Sequence, residues 1–310
     1  MEKIFFQNQT LMVNKRGGGI AEYYIKLCKK RIDLIYGYAR QSDFDGCMGD
    51  ILSPFPGRVD RGNYQLNGKK YKLTGFELYE QDTPLHVFVR EEQWKIIKKT
   101  ESSIRLEYTF DKKKYSEQGY PFALVYSVEY MLNKKGLMVK IKVRNSGDIT
   151  APFGIGFHPY LRVAPKVNQT VWRVPANKLV EYGPDLKPTG KLLDVAKTKF
   201  DFRTARKIGN LEIDNCFTDL IWNKKGIFVS TLHDPKGKSE ISVWQDKNFP
   251  YFQVYSSDTI KTKNRRKSLA LEPHSSSPFA VNIPLLGLIK LKPNQSFKGK
   301  WGVSYKFMQN

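Results

Sequence analysis

LVYSVEYMLNKKGLMVKIKVRN, residues 124–145, decides the fold class of this chain. Leu124, Tyr126, Val128, Tyr130 and Leu132 alternate along one arm, NKKG turns the chain, and Leu137, Val139, Ile141 and Val143 return with the same period of two. Successive strand side chains point to opposite sides, so one face of this ribbon must be core. The same signature recurs on both sides of it. Upstream, Asn67-Gly68 sits between two alternating segments, a strong two-residue hairpin signal. Near the N-terminus, KIFFQ, TLMVN and IDLIY read as short strands around the Gly17-Gly18-Gly19 turn. IAEYYIKLCKK between them fits a short helix as well as a strand, and its strand neighbours favour strand. SSIRLEYTF lies just before it, and downstream come a hairpin across Asp234-Pro235-Lys236-Gly237, the strand YFQVYSS, and a closing strand pair within LIKLKPNQSFKGKWGVSYKF. Residues 164–210, broken by Pro165, Pro175, Pro184 and Pro188, predict long surface excursions. No segment of about 12 residues carries a firm helical period. The expectation is an all-β chain, a large sandwich or barrel of antiparallel sheets forming one domain over residues 1–310.

Composition removes several function classes. The chain carries 52 basic and 30 acidic residues, a net charge of +22, but the lysines are spread along its length. The only dense run is KTKNRRK, Lys261 to Lys267, with no basic stripe interleaved with aromatics and no recognition-helix pattern, so no nucleic-acid partner is expected. The four histidines include no close pair at zinc spacing, and no metal or other cofactor is expected. Three scattered cysteines, Cys28, Cys47 and Cys216, argue against a disulfide framework. No apolar run approaches the ~18 residues of a membrane span, and a soluble cytoplasmic protein, monomer or homodimer, is the default expectation.

Two stretches carry chemistry. In LALEPHSSSPFAVN, residues 269–282, Glu272 lies between an apolar run and a proline, a carboxylate expected at the edge of a sheet where the strand gives way to a turn. In APFGIGFHPYLRV, residues 151–163, His158 likewise ends a Gly-punctuated apolar run before a proline. A base and an imidazole acid fixed at strand ends are what reversible proton transfer across a small substrate needs. Near neutral pH, Glu272 is expected ionised and His158 partly protonated. Taken singly, His158 reads as a core histidine and Glu272 as a solvated strand-end carboxylate. Arg58 lies in an irregular Pro/Gly segment, His86 in a loop entering a strand, and Asp214 on a loop or strand end. His233, beside the Asp234-Pro235 turn, reads as exposed, and His274 as a loop residue at the border of any cleft.

Taken together, GFHPYL, IDNCFT, YFQVYS and LALEPHSSSPFAVN, in that order, with PFPGRV…GNYQLNGKKYKL and PLHVFVREEQW upstream, resemble the aldose 1-epimerase (galactose mutarotase) family over nearly the whole chain. The pattern is nearest to a bacterial branch of undefined sugar specificity. The resemblance implies a β-supersandwich of antiparallel sheets with an open cleft, and an isomerase that interconverts the α and β anomers of a hexose or related free sugar. It implies Glu272 as general base and His158 as general acid. Arg58, His86 and Asp214 would hold sugar hydroxyls and the ring oxygen, with Tyr160 and Gln253 lining the cleft. The chain departs from the family's pattern at Val87, where a glycine usually follows the first histidine. Val87 is expected to fill space near a sugar hydroxyl, which sets galactose in question. Two further expectations stand beside this one: a phosphorylated or sulfonated hexose as substrate, with Lys261 to Lys267 near the cleft, and a non-catalytic carbohydrate-binding protein of the same fold.

Overall fold

The structure is a computed structural model, and it describes residues 1–79, 82–185, 187–236, 239–261 and 263–307. Among these, strands form two large antiparallel sheets of twelve and nine strands. The nine-stranded sheet is built around the hairpin that opened the sequence. Leu124–Asn133 pairs with Gly136–Asn145 from Leu124 opposite Asn145 to Asn133 opposite Gly136. Burial along Leu124–Asn133 alternates without a break, and Tyr126, Val128, Tyr130, Val139 and Val143 are fully buried. Ser103–Thr109 extends this ribbon on one side and Ser296–Phe307 on the other.

The twelve-stranded sheet starts with the N-terminal strands Glu2–Phe6, Gln9–Val13, Ile20–Leu27 and Lys30–Ile35. It then crosses through Tyr160–Leu161 to Leu269–His274, Tyr251–Tyr255, Asp214–Leu220, Ala176–Tyr182 and Pro188–Asp194. IAEYYIKL is therefore strand, as the alternation of Tyr23, Ile25 and Leu27 proposed. One continuous core joins the two sheets: Leu106, Val128, Val139 and Trp301 from the nine-stranded sheet meet Leu11, Phe217, Phe252 and Leu271 from the twelve-stranded one. Fully burying a side chain of this size contributes about 1.5–3 kcal/mol, so the shared apolar faces hold the sheets together.

The Asn67-Gly68 turn joins Asn63–Leu66 to Lys69–Lys72, with both turn residues at positive φ, 49° and 81°. The described α-helix is short, Lys112–Glu117, capped by the Asp111 side chain, which accepts from the Lys113 and Lys114 amides. No helix of the described residues is long and apolar enough to cross a membrane.

Three expectations need correction. Residues 164–210 are not mainly surface excursions: they contain Val171–Arg173, Ala176–Tyr182, Pro188–Asp194 and Arg206–Lys207, all in the two large sheets. The prolines there mark strand starts and turns between short strands, which a turn count alone reads as loop. The two closing strands do not pair with each other. Ile289–Leu291 pairs with Ala151–Phe153, whereas Ser296–Phe307 lies between the strands Gly136–Asn145 and Ser239–Asp246. His233 is half-buried within the strand Ile227–Asp234, opposite Val171 and Glu240, because the strand runs on to the turn instead of ending before it.

Candidate active site

Glu272 is not at a sheet edge, as its neighbouring proline suggested. It lies inside Leu269–His274, a strand paired on one side with Tyr251–Tyr255 and on the other with Tyr160–Leu161 and Gly156–Phe157. The break is in the neighbour. Between Gly156–Phe157 and Tyr160–Leu161 the ladder is interrupted at His158-Pro159, and Glu272-Pro273 runs alongside that gap. A proline cannot donate to a ladder, so two prolines facing one interruption leave no donor stranded. The segment around Asp50 takes over the pairing: the His158 amide donates to the Asp50 carbonyl at 3.0 Å, and the Gly49 amide to the His158 carbonyl at 2.9 Å.

The gap brings the two side chains together. His158 Nε2 lies 3.5 Å from Glu272 Oε1, with both side chains under 8 % exposed. Strand register gathers the rest on the same face. Gln253 is directly opposite Glu272, and Cys216 directly opposite Gln253. Gln253 Nε2 donates to Asp214 Oδ1 at 2.7 Å, which places Asp214, the exposed first residue of its strand, at the rim. The Gln253 Oε1 is buried and has no hydrogen-bond partner, an acceptor facing the same ground as the Glu272 carboxylate.

His86 enters from the other side, its ring centre 5.6 Å from that of His158 and nearly perpendicular to it. Its backbone is left-handed, φ 52°, an uncommon conformation for a residue with a Cβ. Its Nδ1 accepts the Gly57 amide at 3.0 Å, so the neutral ring carries its proton on Nε2 and offers it as a donor. Gly57 is itself required, since a Cβ there would lie 2.5 Å from Pro278. The Arg58 backbone bridges to Leu85 beside His86, and its guanidinium acts on the His86 ring.

Tyr160 does not line open space. It is fully buried, its ring stacks on His158 at 4.9 Å, and its hydroxyl donates to the Gly46 carbonyl at 2.7 Å. It backs the imidazole. Val87 packs into the main core rather than crowding the cleft, so the space it was expected to fill near a sugar is not where its side chain goes.

Burial sets the charge states. It pushes the Glu272 carboxyl up to about 7, with His158 pulling the other way. His158 is lowered by burial, against the pull of Glu272. Burial thus shifts Glu272 away from the fully ionised state, and His158 away from the partly protonated state, expected near neutral pH, because desolvation outweighs the attraction of the pair. His86 is lowered well below its ordinary value, first by burial and then by His158 and Arg90. Arg90 Nε lies 3.1 Å from Asp50 Oδ2, a mostly buried pair flanking the histidines.

The residue that sequence reasoning underrated is His274. It is not a loop residue but the last of the Glu272 strand, fully buried, with Nε2 3.0 Å from Glu272 Oε2. The signal was present: residues two apart in a strand share a face. Pro273 obscured it by suggesting that the strand had ended.

Part of the basic run is engaged in structure. Arg266 pairs with Asp258, Lys263 with Asp43, and buried Asn264 donates to Asp45 Oδ2 at 3.0 Å.

Comparison with known proteins gives the context for this arrangement. A family model described as aldose 1-epimerase matches residues 4–304. An uncharacterized protein of Escherichia coli K12, YihR, is 31 % identical over 290 residues, 92 % of this chain and 88 % of its own. Galactose mutarotase of Sus scrofa is 24 % identical over 287 residues, 86 % of this chain and 81 % of its own. The crystal structure of a GalM/aldose epimerase homologue from C. elegans superposes with a TM-score of 0.86 at 19 % identity, over 99 % of this chain and 98 % of that one. A galactose mutarotase-like protein of Clostridium acetobutylicum gives 0.84 at 17 % identity, over 99 % and 95 %.

Proposed function

Because this chain belongs to the aldose 1-epimerase family, a family of isomerases, we propose that it interconverts the α and β anomers of a hexose or related sugar by acid–base ring opening and closure. The observation that carries this reading is the approach of Glu272 Oε1 and His158 Nε2 to 3.5 Å with both side chains buried. Ring opening needs a base at the anomeric hydroxyl and an acid at the ring oxygen, two oxygens on the same carbon. A carboxylate and an imidazole this close can serve both at once.

Glu272 takes the proton from the anomeric hydroxyl as His158 gives one to the ring oxygen. The bond from the anomeric carbon to the ring oxygen breaks, leaving an open-chain aldehyde. Rotation about the adjacent carbon–carbon bond presents the other aldehyde face. Closure returns the proton from Glu272 to the new anomeric oxygen and the ring-oxygen proton to His158, so nothing is consumed. His86, through its Nε2–H, and Arg58, through its fork of donors, are assigned to sugar oxygens. Asp214 and the Gln253 Oε1 are assigned to accept from sugar hydroxyls.

A phosphorylated or sulfonated hexose would draw on the basic run, in which Arg266 and Lys263 are matched by carboxylates. Saturation-transfer NMR with glucose, galactose and glucose 6-phosphate tests the reading. Anomer exchange above the spontaneous rate with at least one sugar is expected. Binding without accelerated exchange would replace it with a carbohydrate-binding function.

A further inference from the structure

The Glu272 carboxylate has two oxygens with different neighbours. Oε1 faces His158 Nε2 at 3.5 Å, and Oε2 faces His274 Nε2 at 3.0 Å. Only the second distance is that of an ordinary hydrogen bond. We propose that His274 is a positioning residue: its Nε2–H donates to Glu272 Oε2, anchoring that oxygen so that Oε1 alone is left to take the proton from the anomeric hydroxyl. The proposal rests on the reading of Glu272 as the base.

The surroundings are built for this contact. His274 is fully buried, and its ring lies against Gly156, where a Cβ would come within 2.5 Å of Cδ2 and 2.6 Å of Nε2. Glycine opposite His274 in the ladder therefore lets the imidazole lie flat across the neighbouring strand. The segment on either side is clamped: the Ser275 amide donates to the Ile155 carbonyl, and the Ile155 amide to Ser275 Oγ, both at 2.8 Å. Burial lowers His274 to about 3, so it is neutral at any working pH and contributes one N–H rather than a charge. A base must be unprotonated, so the 3.0 Å contact to an ionised Oε2 requires the proton on Nε2. That tautomer leaves Nδ1 a bare lone pair; Nδ1 has no hydrogen-bond partner of ordinary geometry, while a looser backbone contact with Ser276 favours the charged ring.

The donor also bears on when Glu272 can act. A hydrogen bond to the charged form of a carboxyl favours that form, so the His274 N–H opposes the burial that pushes Glu272 up. The titratable groups facing Glu272 are His158 from the break in the neighbouring strand, Tyr160 beyond it, Cys47 from the loop before Asp50, Cys216 across the sheet, and His274. Burial pushes both thiols to about 12, and Tyr160 stands well above its ordinary value, so none of these three charges in the relevant range. Arg90 and His86 act on the site through the histidines.

The test compares wild type with His274→Phe, His274→Gln and His274→Asn. A glutamine amide nitrogen reaches the place of Nε2, whereas an asparagine amide falls short, near Nδ1. The pH profile of kcat/KM is measured together with a carbon-13 NMR titration of the Glu272 carboxyl, assigned with Glu272→Gln. We expect His274→Phe to lower kcat about 10- to 100-fold with KM little changed. Its acid limb and the Glu272 titration should both move to higher pH, because the ionised carboxylate has lost a donor. Gln should restore both, and Asn should not. Equal losses in Phe and Gln with an unmoved Glu272 titration would overturn the proposal, as would nitrogen-15 shifts placing the wild-type His274 proton on Nδ1. Should the Phe variant not fold, His274→Met, also without a donor, carries the same expectation. If wild type exchanges no sugar, the reading of Glu272 as base fails, while the carboxyl titration still decides whether His274 holds it.

Discussion

Burial pushes Glu272 and His158 each away from the charged form that its assigned task needs. The carboxyl, lifted to about 7, has to be ionised to act as base, and the imidazole, lowered from 6.5, has to be charged to act as acid. Among forms of the pair that hold one proton, the productive one is the minority, and the two apparent values belong to the pair. The pH profile of kcat/KM should therefore be a bell with its maximum below about 7, falling on the acid side as Glu272 is protonated and on the alkaline side as His158 loses its proton. A broad plateau from pH 5 to 9 would contradict this. The identity of these two residues was legible, because each sits between an apolar run and a proline and the surrounding motifs come in a recognisable order. Their ionisation was not legible: it depends on burial by Tyr160, Gly46 and the Asp50 segment, far apart in sequence.

At the scale of elements, the site exists because one ladder is broken and its neighbour is not. His158-Pro159 interrupts one strand while Glu272-Pro273 passes through in the next, so the acid is delivered to the base by sheet register. Gly156 then seats the His274 ring. Gly156→Ala should force the ring aside, costing about 1–3 kcal/mol as overpacking does. The loss is read as a lower midpoint in thermal unfolding, with kcat falling in parallel. An unchanged midpoint and rate would show that the close approach is relieved at no cost. The hairpins at Asn67-Gly68 and residues 124–145 were legible because turn chemistry and alternation agree. Of the strands between 164 and 210, Val171–Arg173 and Arg206–Lys207 were not, since they are too short to show a period. The pairing of Ile289–Leu291 with Ala151–Phe153 has no local signal at all.

At the scale of the whole molecule, two sheets that share one core hold buried, titratable groups that bind protons differently once the chain unfolds. His274 has its proton affinity lowered from 6.5 to about 3 by folding, so its contribution to stability is present above pH 6.5 and is lost as pH falls toward 3. Glu272 and Asp50, both raised to about 7, act oppositely: their contribution grows as pH falls from 7 toward 4, so the wild-type profile sums opposed contributions. The difference between proteins is cleaner. Relative to wild type, His274→Gln should gain stability on going from pH 7 to pH 4, on the order of a few kcal/mol, measured by denaturant unfolding at each pH. A pH-independent difference would contradict the buried neutral state. The all-β class and the family pattern were legible across the chain, and the fold bears them out. The +22 charge was legible as a number, but its meaning depends on pairs such as Arg266–Asp258 that only folding creates. Because the proposed reaction needs two side chains acting on one sugar, the most direct measurement is two-dimensional exchange NMR between α and β anomers with wild type and Glu272→Gln. We expect wild type to accelerate exchange and Glu272→Gln to lose about 10²- to 10⁴-fold while still broadening the sugar resonances on binding; full exchange activity in Glu272→Gln would contradict it.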